Sequence, residues 1–505
     1  MKKRKFLQIF IIAVLVLSLF GSAAPLQGFE AAKAQPVLVQ LAAQDPGQMV
    51  RVIVQKVAGA TGMEERVSAL GGQITQDLHI INAFAAEMSA KDAVQLSKTS
   101  GVRWVSLDAA MDSSVCSKCI DTSKLANAYI SAIRADKVWN VKPYIQGQGI
   151  GVAVIDSGIN PNGDLYTNMG VNRQVADIRF NTDYNQSPSD GYGHGTHVAS
   201  IIGGDGSESS GKYIGVAPMV NIINVKVSND DGSALMKDIV QGLQWVLENK
   251  DTYNIRVVNL SLNSVVAESY NTSPLDAAVE ILWFNGVVVV VSAGNKGNGA
   301  IYPPANDPFV ITVGAVDDKG TATLTDDKLA SFSAYGNSEN GVVKPDLVAP
   351  GKNIIARLVN QNMGLAGSHP ANKVGTQYFR MSGTSMSAPM VSGAVALLLQ
   401  DEPTLNPDQV KYRLMTTANK TWAGYNATTA GAGYLDIYAA VNGTSTETAN
   451  TGTFASQMLS TGTKPISWGS AGWNSAGWNS AGWNSAGWNS AGWNSAGWNS
   501  DYWDK

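Results

Sequence analysis

Three side chains, far apart along 505 residues, have the types and local settings that acyl transfer needs. Ser385 lies in Phe379–Leu399, FRMSGTSMSAPMVSGAVALLL, which starts extended, breaks at Ser382-Gly383-Thr384-Ser385 and goes on with small and apolar residues at helical spacing. The pattern predicts a helix opening at Ser385, with Pro389 in its first turn, where a missing N–H costs little. A serine at a helix N-terminus sits among free backbone N–H groups at the positive end of the dipole. It is placed to attack a carbonyl and leave an oxyanion behind. Read alone, the same stretch is also a Gly/Ser turn before a core helix. Two further stretches tilt the balance. Gly149–Gly158, GIGVAVIDSG, reads as a strand with Asp156 at its C-terminal end. Asp190–Ala199, DGYGHGTHVA, carries His194 and His197 into an apolar helix, and the chain has only four histidines.

Asp156, His194 and Ser385, in that order and in those motifs, resemble the subtilisin-like (subtilase) serine peptidases over roughly Ala128–Val441. The resemblance implies a serine-type endopeptidase acting on protein or peptide substrates. Its chemistry follows from the residue types. A hydroxyl is a poor nucleophile until a base takes its proton. His194 fills that role, and Asp156 holds the imidazole tautomer and stabilises the imidazolium. His197, three residues on, reads as structural. Ala293-Gly294-Asn295 by itself is a turn, since Asn tolerates left-handed backbone. The resemblance makes Asn295 the side-chain donor of the oxyanion hole, beside the Ser385 N–H. It also implies that Ser261, Leu262 and Asn263 form a strand edge that pairs with an extended peptide. Ser292, Ala293 and Gly294 become a pocket wall. The family often has two glycines after Ser-Leu; here they are Asn263 and Ser264, whose side chains narrow the groove. Asp164 matches a calcium ligand of the family, with 205–210 as another part of that site, so structural calcium is expected there.

The elements that must hold these groups are legible as short apolar runs. Ile150–Ile155, Ile222–Val227, Val257–Leu262, Val287–Val291 and Phe309–Val316 read as strands. Thr196–Ile202, Ser233–Glu248, Ser273–Trp283 and Leu405–Ala418 read as helices between or after them. Strands apolar on both faces that alternate with helices imply an α/β fold, a parallel sheet sandwiched between helices. In such sheets the active residues gather at strand C-terminal ends.

The peptidase domain so outlined covers 132–442. Residues 1–34 carry a basic start, an apolar run over Phe6–Phe20 and small residues after it, as a signal peptide does. Secretion to the outside is therefore expected, and cell-surface association would rest on the C-terminal tail. Residues 48–108 read β-α-β-β-α-β, a small α+β ferredoxin-like unit. By resemblance this is the inhibitory propeptide of a zymogen, the chain's own intramolecular partner; its His79, in an apolar run, reads as packed. Residues 109–131 form a polar junction with Cys116 and Cys119, two soft ligands short of a structural metal site. They read as a local disulfide or as free thiols. After a polar linker, 443–465, the tail 466–505 holds six tandem Ser-Ala-Gly-Trp-Asn copies and eight of the thirteen tryptophans. Its period of five fits neither strand nor helix. Regular Trp suits stacking on carbohydrate, cell-wall polymer or a membrane surface, and a tail without fixed structure fits equally. A formal charge of −4 with only 15% charged residues argues against a nucleic-acid partner.

Overall fold

A computed structural model describes residues 33–109, 119–459 and 496–497, except 168–169, 182–186, 300, 338–340, 360–361 and 363. Nearly all of the expected signal peptide and Trp-rich tail lies outside the described residues. The chain divides into two compact units, 1–116 and 117–505.

In the first unit α1 (Pro36–Gln44) precedes β1 (Met49–Lys56), α2 (Met63–Ala69), β2 (Gln73–Leu78), β3 (Ala83–Ser89), α3 (Ala90–Ser97) and β4 (Val102–Leu107). The strands form an antiparallel sheet in the order β2-β3-β1-β4. Val52 and Val54 alternate with exposed or half-buried neighbours along β1, and their face packs on Val67, Phe84, Met88 and Leu96. The expected β-α-β-β-α-β order is present, with α1 added in front. His79 is the exception to the expected packing. It lies in a short 3-10 turn, its side chain 89% exposed, 3.2 Å from Asp77. The apolar run misled because strand β3 begins only at Ala83, after that turn.

The second unit is built on a parallel sheet of seven strands. They are β5 (Gly151–Asp156), β6 (Gln174–Arg179), β7 (Asn221–Lys226), β8 (Ile255–Leu260), β10 (Val288–Ser292), β11 (Ile311–Asp317) and β12 (Leu347–Pro350). A two-residue strand, β9 (Asn263–Ser264), follows β8 outside this sheet. The spatial order is β6-β7-β5-β8-β10-β11-β12, so the sheet grows first to one side of β5 and then to the other. Such a reversal leaves a crevice at the carboxyl ends of the strands beside it. The five expected strands are present within two residues at either end. Strand β6 escaped notice because it is an edge strand whose residues alternate buried and exposed, giving no apolar run.

Helices α4 (His194–Gly203), α5 (Met236–Asn249), α6 (Pro274–Phe284), α7 (Thr384–Asp401) and α8 (Pro407–Thr417) cover the sheet. Helix α7 is buried along its length from Thr384 to Leu399. It is apolar on every side, as suits a helix enclosed by protein. Between β12 and α7 a small antiparallel sheet contains β13 (Ile354–Arg357) and β14 (Tyr378–Met381), and β14 leads into Ser385. Cys119 is disulfide-bonded.

The segment after the domain, expected as a linker, is held against it as far as Leu459. The Ser456 N–H donates to both Glu280 carboxylate oxygens at 3.0 and 2.8 Å, and the Ser456 hydroxyl to the Asn271 carbonyl at 3.1 Å. Asn450 donates to Asp408 at 2.6 Å, which also accepts from the Trp283 indole at 2.9 Å. Glu280 belongs to a buried acidic group with Asp276 and Asp307. Burial, and then the neighbouring Asp307, pushes Asp276 and Glu280 well above the usual carboxylate range; burial lifts Asp307 to about 6. Acids raised in the folded state stabilise it below their unfolded value, near ~4, and that contribution is lost as pH rises through the folded value. The melting temperature should therefore fall as pH rises through about 6, the value to which Asp307 is lifted. Glu280→Gln should flatten that slope in thermal denaturation; an unchanged slope would remove this group as its cause.

Candidate active site

Asp156 ends β5 and is fully buried. A carboxylate so placed must be surrounded by donors. Its Oδ1 accepts from the Ser157 N–H at 2.7 Å and the Ser157 hydroxyl at 3.2 Å. His194 Nδ1 lies 2.9 Å from Oδ1 and 3.1 Å from Oδ2, which makes Nδ1 the protonated, donating nitrogen. His194 is the first residue of α4, and its ring is completely buried. Close approach needs glycine next to it: a Cβ on Gly195 would stand 2.2 Å from the Gly158 carbonyl oxygen.

Residues not singled out from sequence hold this pair in place. Buried Asp190 accepts from the Thr196 N–H at 2.9 Å and the Gly193 N–H at 2.6 Å, satisfying donors at the start of α4. The Ser157 hydroxyl bridges the two carboxylates, 2.9 Å from Asp190 Oδ1. Burial raises Asp190 above its ordinary value, against the pull of its backbone donors. Lys226, paired in register with Asp156, is fully buried and donates to the Ser157 and Ser189 carbonyls at 2.8 and 2.9 Å. The signal for Asp190 was present: an acid just ahead of a helix start.

His197 is likewise buried, and its Nε2–H donates to the Phe379 carbonyl at 3.0 Å. Burial drives its pKa down to about 3, so the ring is neutral. The helix that carries His194 is thereby tied to the strand that leads to Ser385.

Ser385 is the second residue of α7, so Pro389 is the sixth and not in the first turn as its sequence setting implied. A proline inside a helix removes the bond to the carbonyl four residues back. That carbonyl is Ser385's own, and it accepts instead from the Ser261 hydroxyl at 3.1 Å. In return the Ser385 hydroxyl donates to the Ser261 carbonyl at 3.0 Å. Asn295 approaches the same turn. Its Oδ1 accepts from the Thr384 N–H and the Thr384 hydroxyl, each at 2.9 Å. This fixes which way the amide faces. Its Nδ2 is buried and has no acceptor among the described residues.

The other expected positions lie on the same rim. Leu260 pairs with Val291 at the ends of β8 and β10, and the backbones run on as Ser261-Leu262-Asn263 and Ala293-Gly294. The Gly294 N–H donates to the Thr384 hydroxyl at 3.1 Å, and the Ala293 N–H to the Val313 carbonyl at 2.9 Å. Asn263 and Ser292 bond to each other across the gap, and Leu262 is buried.

A buried Asp–His pair, a serine at a helix N-terminus and an unpaired amide beside it make a set for acyl transfer. Comparison with known proteins agrees. The model of the subtilase family matches residues 147–434, more than half of the chain.

The chain belongs to the subtilase family.

It is a serine-type endopeptidase. It is 36% identical to the serine protease AprX of Bacillus subtilis over 398 residues, 77% of this chain and 84% of that protein. Subtilisin DY of Bacillus licheniformis is 33% identical over 57% of this chain and 90% of its own. Subtilisin E of Bacillus subtilis is 30% identical over 74% and 84% respectively. Among solved structures, a cold adapted subtilisin-like serine proteinase matches at 31% identity and TM-score 0.45, covering 58% of this chain and 90% of that one.

Asp164, for which a calcium-ligand role was expected, has protein donors at both carboxylate oxygens. Asp164 is fully buried and its oxygens face protein donors. Oδ1 accepts from the Glu208 N–H at 2.8 Å and the Ser207 hydroxyl at 3.3 Å; Oδ2 accepts from the Tyr378 hydroxyl at 2.7 Å. Two guanidinium groups supply positive charge to the same acids. Arg173 donates to the Asp164 carbonyl at 2.6 Å, and Arg357 lies 3.7 Å from Glu208. Burial raises Asp164 and Asp205 above the usual carboxylate range. Among the described residues no group of three or more His, Cys, Asp or Glu could hold a metal.

Two outcomes follow. Ser261→Ala leaves the Ser385 carbonyl buried without its donor, so unfolding should become easier by about 1–3 kcal/mol, with kcat reduced; parental values for both would refute the exchange. Chelating calcium with EDTA should leave the melting temperature unchanged. A rise that grows with added calcium, as mass action requires of a bound ligand, would restore the ion.

Proposed function

We propose that the protein is made as a secreted zymogen and hydrolyses peptide bonds of extended polypeptides through an acyl-enzyme on Ser385. As Ser385 Oγ attacks the scissile carbonyl carbon, neutral His194 takes the hydroxyl proton, and the carbonyl electron pair moves onto its oxygen. The Asn295 Nδ2–H and the Ser385 N–H hold that oxyanion. Collapse breaks the C–N bond, and His194 returns its proton to the leaving amine. Water then attacks the ester, with His194 again as base, and the carboxylic acid product leaves. Asp156 orients the imidazole and stabilises its protonated form throughout.

The carrying observation is the Asn295 amide. A buried donor without an acceptor costs free energy. At Asn295 that cost falls beside the serine amide, where an oxyanion would supply the acceptor. Ser261, Leu262 and Asn263 take the substrate backbone, and Ser292, Ala293 and Gly294 flank its side chain.

The remaining roles rest on chain order and residue pattern. Residues 1–34 direct secretion, 48–108 fold as the inhibitory propeptide and 109–131 contain the processing junction. The peptidase domain is 132–442. Beyond 443–465 the Trp repeats, 466–505, bind cell wall, carbohydrate or membrane surface.

A fluorophosphonate should label mature protein at Ser385, and Ser385→Ala should lose both the label and casein hydrolysis. Asn295→Ala should keep the label yet slow peptide turnover by about 10²–10³, the range known for removing this kind of donor from subtilisin. Casein digestion by Ser385→Ala at the parental rate would end the proposal.

A further inference from the structure

The two strand ends that touch the first turn of α7 are joined by a side chain. Ser261 bonds to Ser385 and Gly294 to Thr384, so the span between 261–263 and 292–294 lies beside the nucleophile. A peptide lying extended there would drop the side chain of its acyl residue, the one that supplies the scissile carbonyl, into this space. In this chain the Asn263 side chain crosses it. Asn263 Nδ2 donates to the Ser292 carbonyl at 2.8 Å, and the Ser292 hydroxyl donates to Asn263 Oδ1 at 3.3 Å. Asn263 is 2% exposed and Ser292 1%.

The bridge is not free to swing aside. Moving the amide would leave the Ser292 carbonyl and the Asn263 amide buried without these partners, and a penalty follows for each. The backbone around it is also fixed: the next residue, Ser264, donates its N–H to the Pro303 carbonyl at 2.7 Å. The outer edge of the same two residues does accept an extended peptide. Ala496 and Gly497, from one copy of the C-terminal repeat, pair antiparallel with Ser264 and Asn263. The edge is thus competent for backbone pairing, while the space behind it is crossed by an amide.

We infer that Asn263 sets an upper size limit on the acyl residue, so that this endopeptidase cleaves after Gly, Ala or Ser and rejects large aromatic and aliphatic side chains. The inference rests on the proposed assignment of 261–263 and 292–294 to substrate binding. A buried polar group that must be unpaired to admit a larger side chain discriminates more strongly than a merely short apolar pocket.

Mature enzyme should be given internally quenched peptides that differ only at the acyl residue, with cleavage points read by mass spectrometry. The expected ratio of kcat/KM for Ala over Phe or Leu is about 10-fold or more. Asn263→Gly should raise the Phe and Leu values by at least about the same factor relative to Ala. Asn263→Ala serves as the second variant should glycine destabilise the segment, with melting temperatures recorded for both. Parent enzyme that cleaves after Phe or Leu as fast as after Ala overturns the size limit, and leaves the binding assignment standing if the variants still shift the profile. Variants that change neither the ratio nor KM overturn both. The triad is judged apart from either, by fluorophosphonate labelling of Ser385 in the same preparations.

Discussion

The site depends on a backbone bond that proline forbids. Pro389 has no N–H to offer the Ser385 carbonyl, so the first turn of α7 arrives at the sheet rim with an acceptor that must be satisfied from outside. The Ser261 hydroxyl satisfies it, and the Ser385 hydroxyl answers to the Ser261 carbonyl. This exchange, with Asn295 clasping Thr384, locks the helix start to the ends of β8 and β10. The Ser385 hydroxyl, the Asn295 amide and the strand ends that flank them are therefore tied together, as preorganised electrostatic stabilisation requires.

The acid–base half is rigid for a different reason. Asp156 and His194 are wholly inside the protein, where an unpaired charge is costly. The answer is a continuous set of donors. Ser157 ties Asp156 to Asp190, Asp190 satisfies the start of α4, and buried Lys226 anchors the loop between them through two carbonyls. Each polar group has a partner whose own position is fixed, so the imidazole is presented in one tautomer. His197 then couples this half to the serine half through Phe379. Among the groups named here the Asn295 Nδ2 stands out as a donor without an acceptor among the described residues.

Away from the site, protein donors meet a carboxylate for which a calcium-ligand role was expected. Around Asp164, the Tyr378 and Ser207 hydroxyls and the Glu208 N–H donate to the carboxylate, while Arg173 donates to the backbone carbonyl of the same residue. Around Asp276, Glu280 and Asp307 burial instead favours the neutral carboxyl, and the segment that ends at Leu459 closes over the group. These are two solutions to one problem, the burial of acids.

Sequence by itself determined the three motifs, the parallel sheet and the α+β unit ahead of it, because each is written in local pattern: apolar runs for β5, β8 and β10, glycine breaks before α4 and α7, alternation in β1. It left Asn295 as a turn until its family likeness was weighed, since nothing local marks an asparagine as a donor. Strand β6, half exposed, left no run to read. The tertiary structure alone decided that Pro389 frees the Ser385 carbonyl for Ser261, that the Asp164 carboxylate meets Tyr378, and that Asn263 reaches across to Ser292 near Ser385. Each of those joins residues more than a hundred apart or turns on which partner a buried polar atom finds across the fold, or, for Asn263, across two neighbouring strands. Local patterning cannot carry that, because a hydrogen-bond partner is chosen by packing and not by neighbours along the chain.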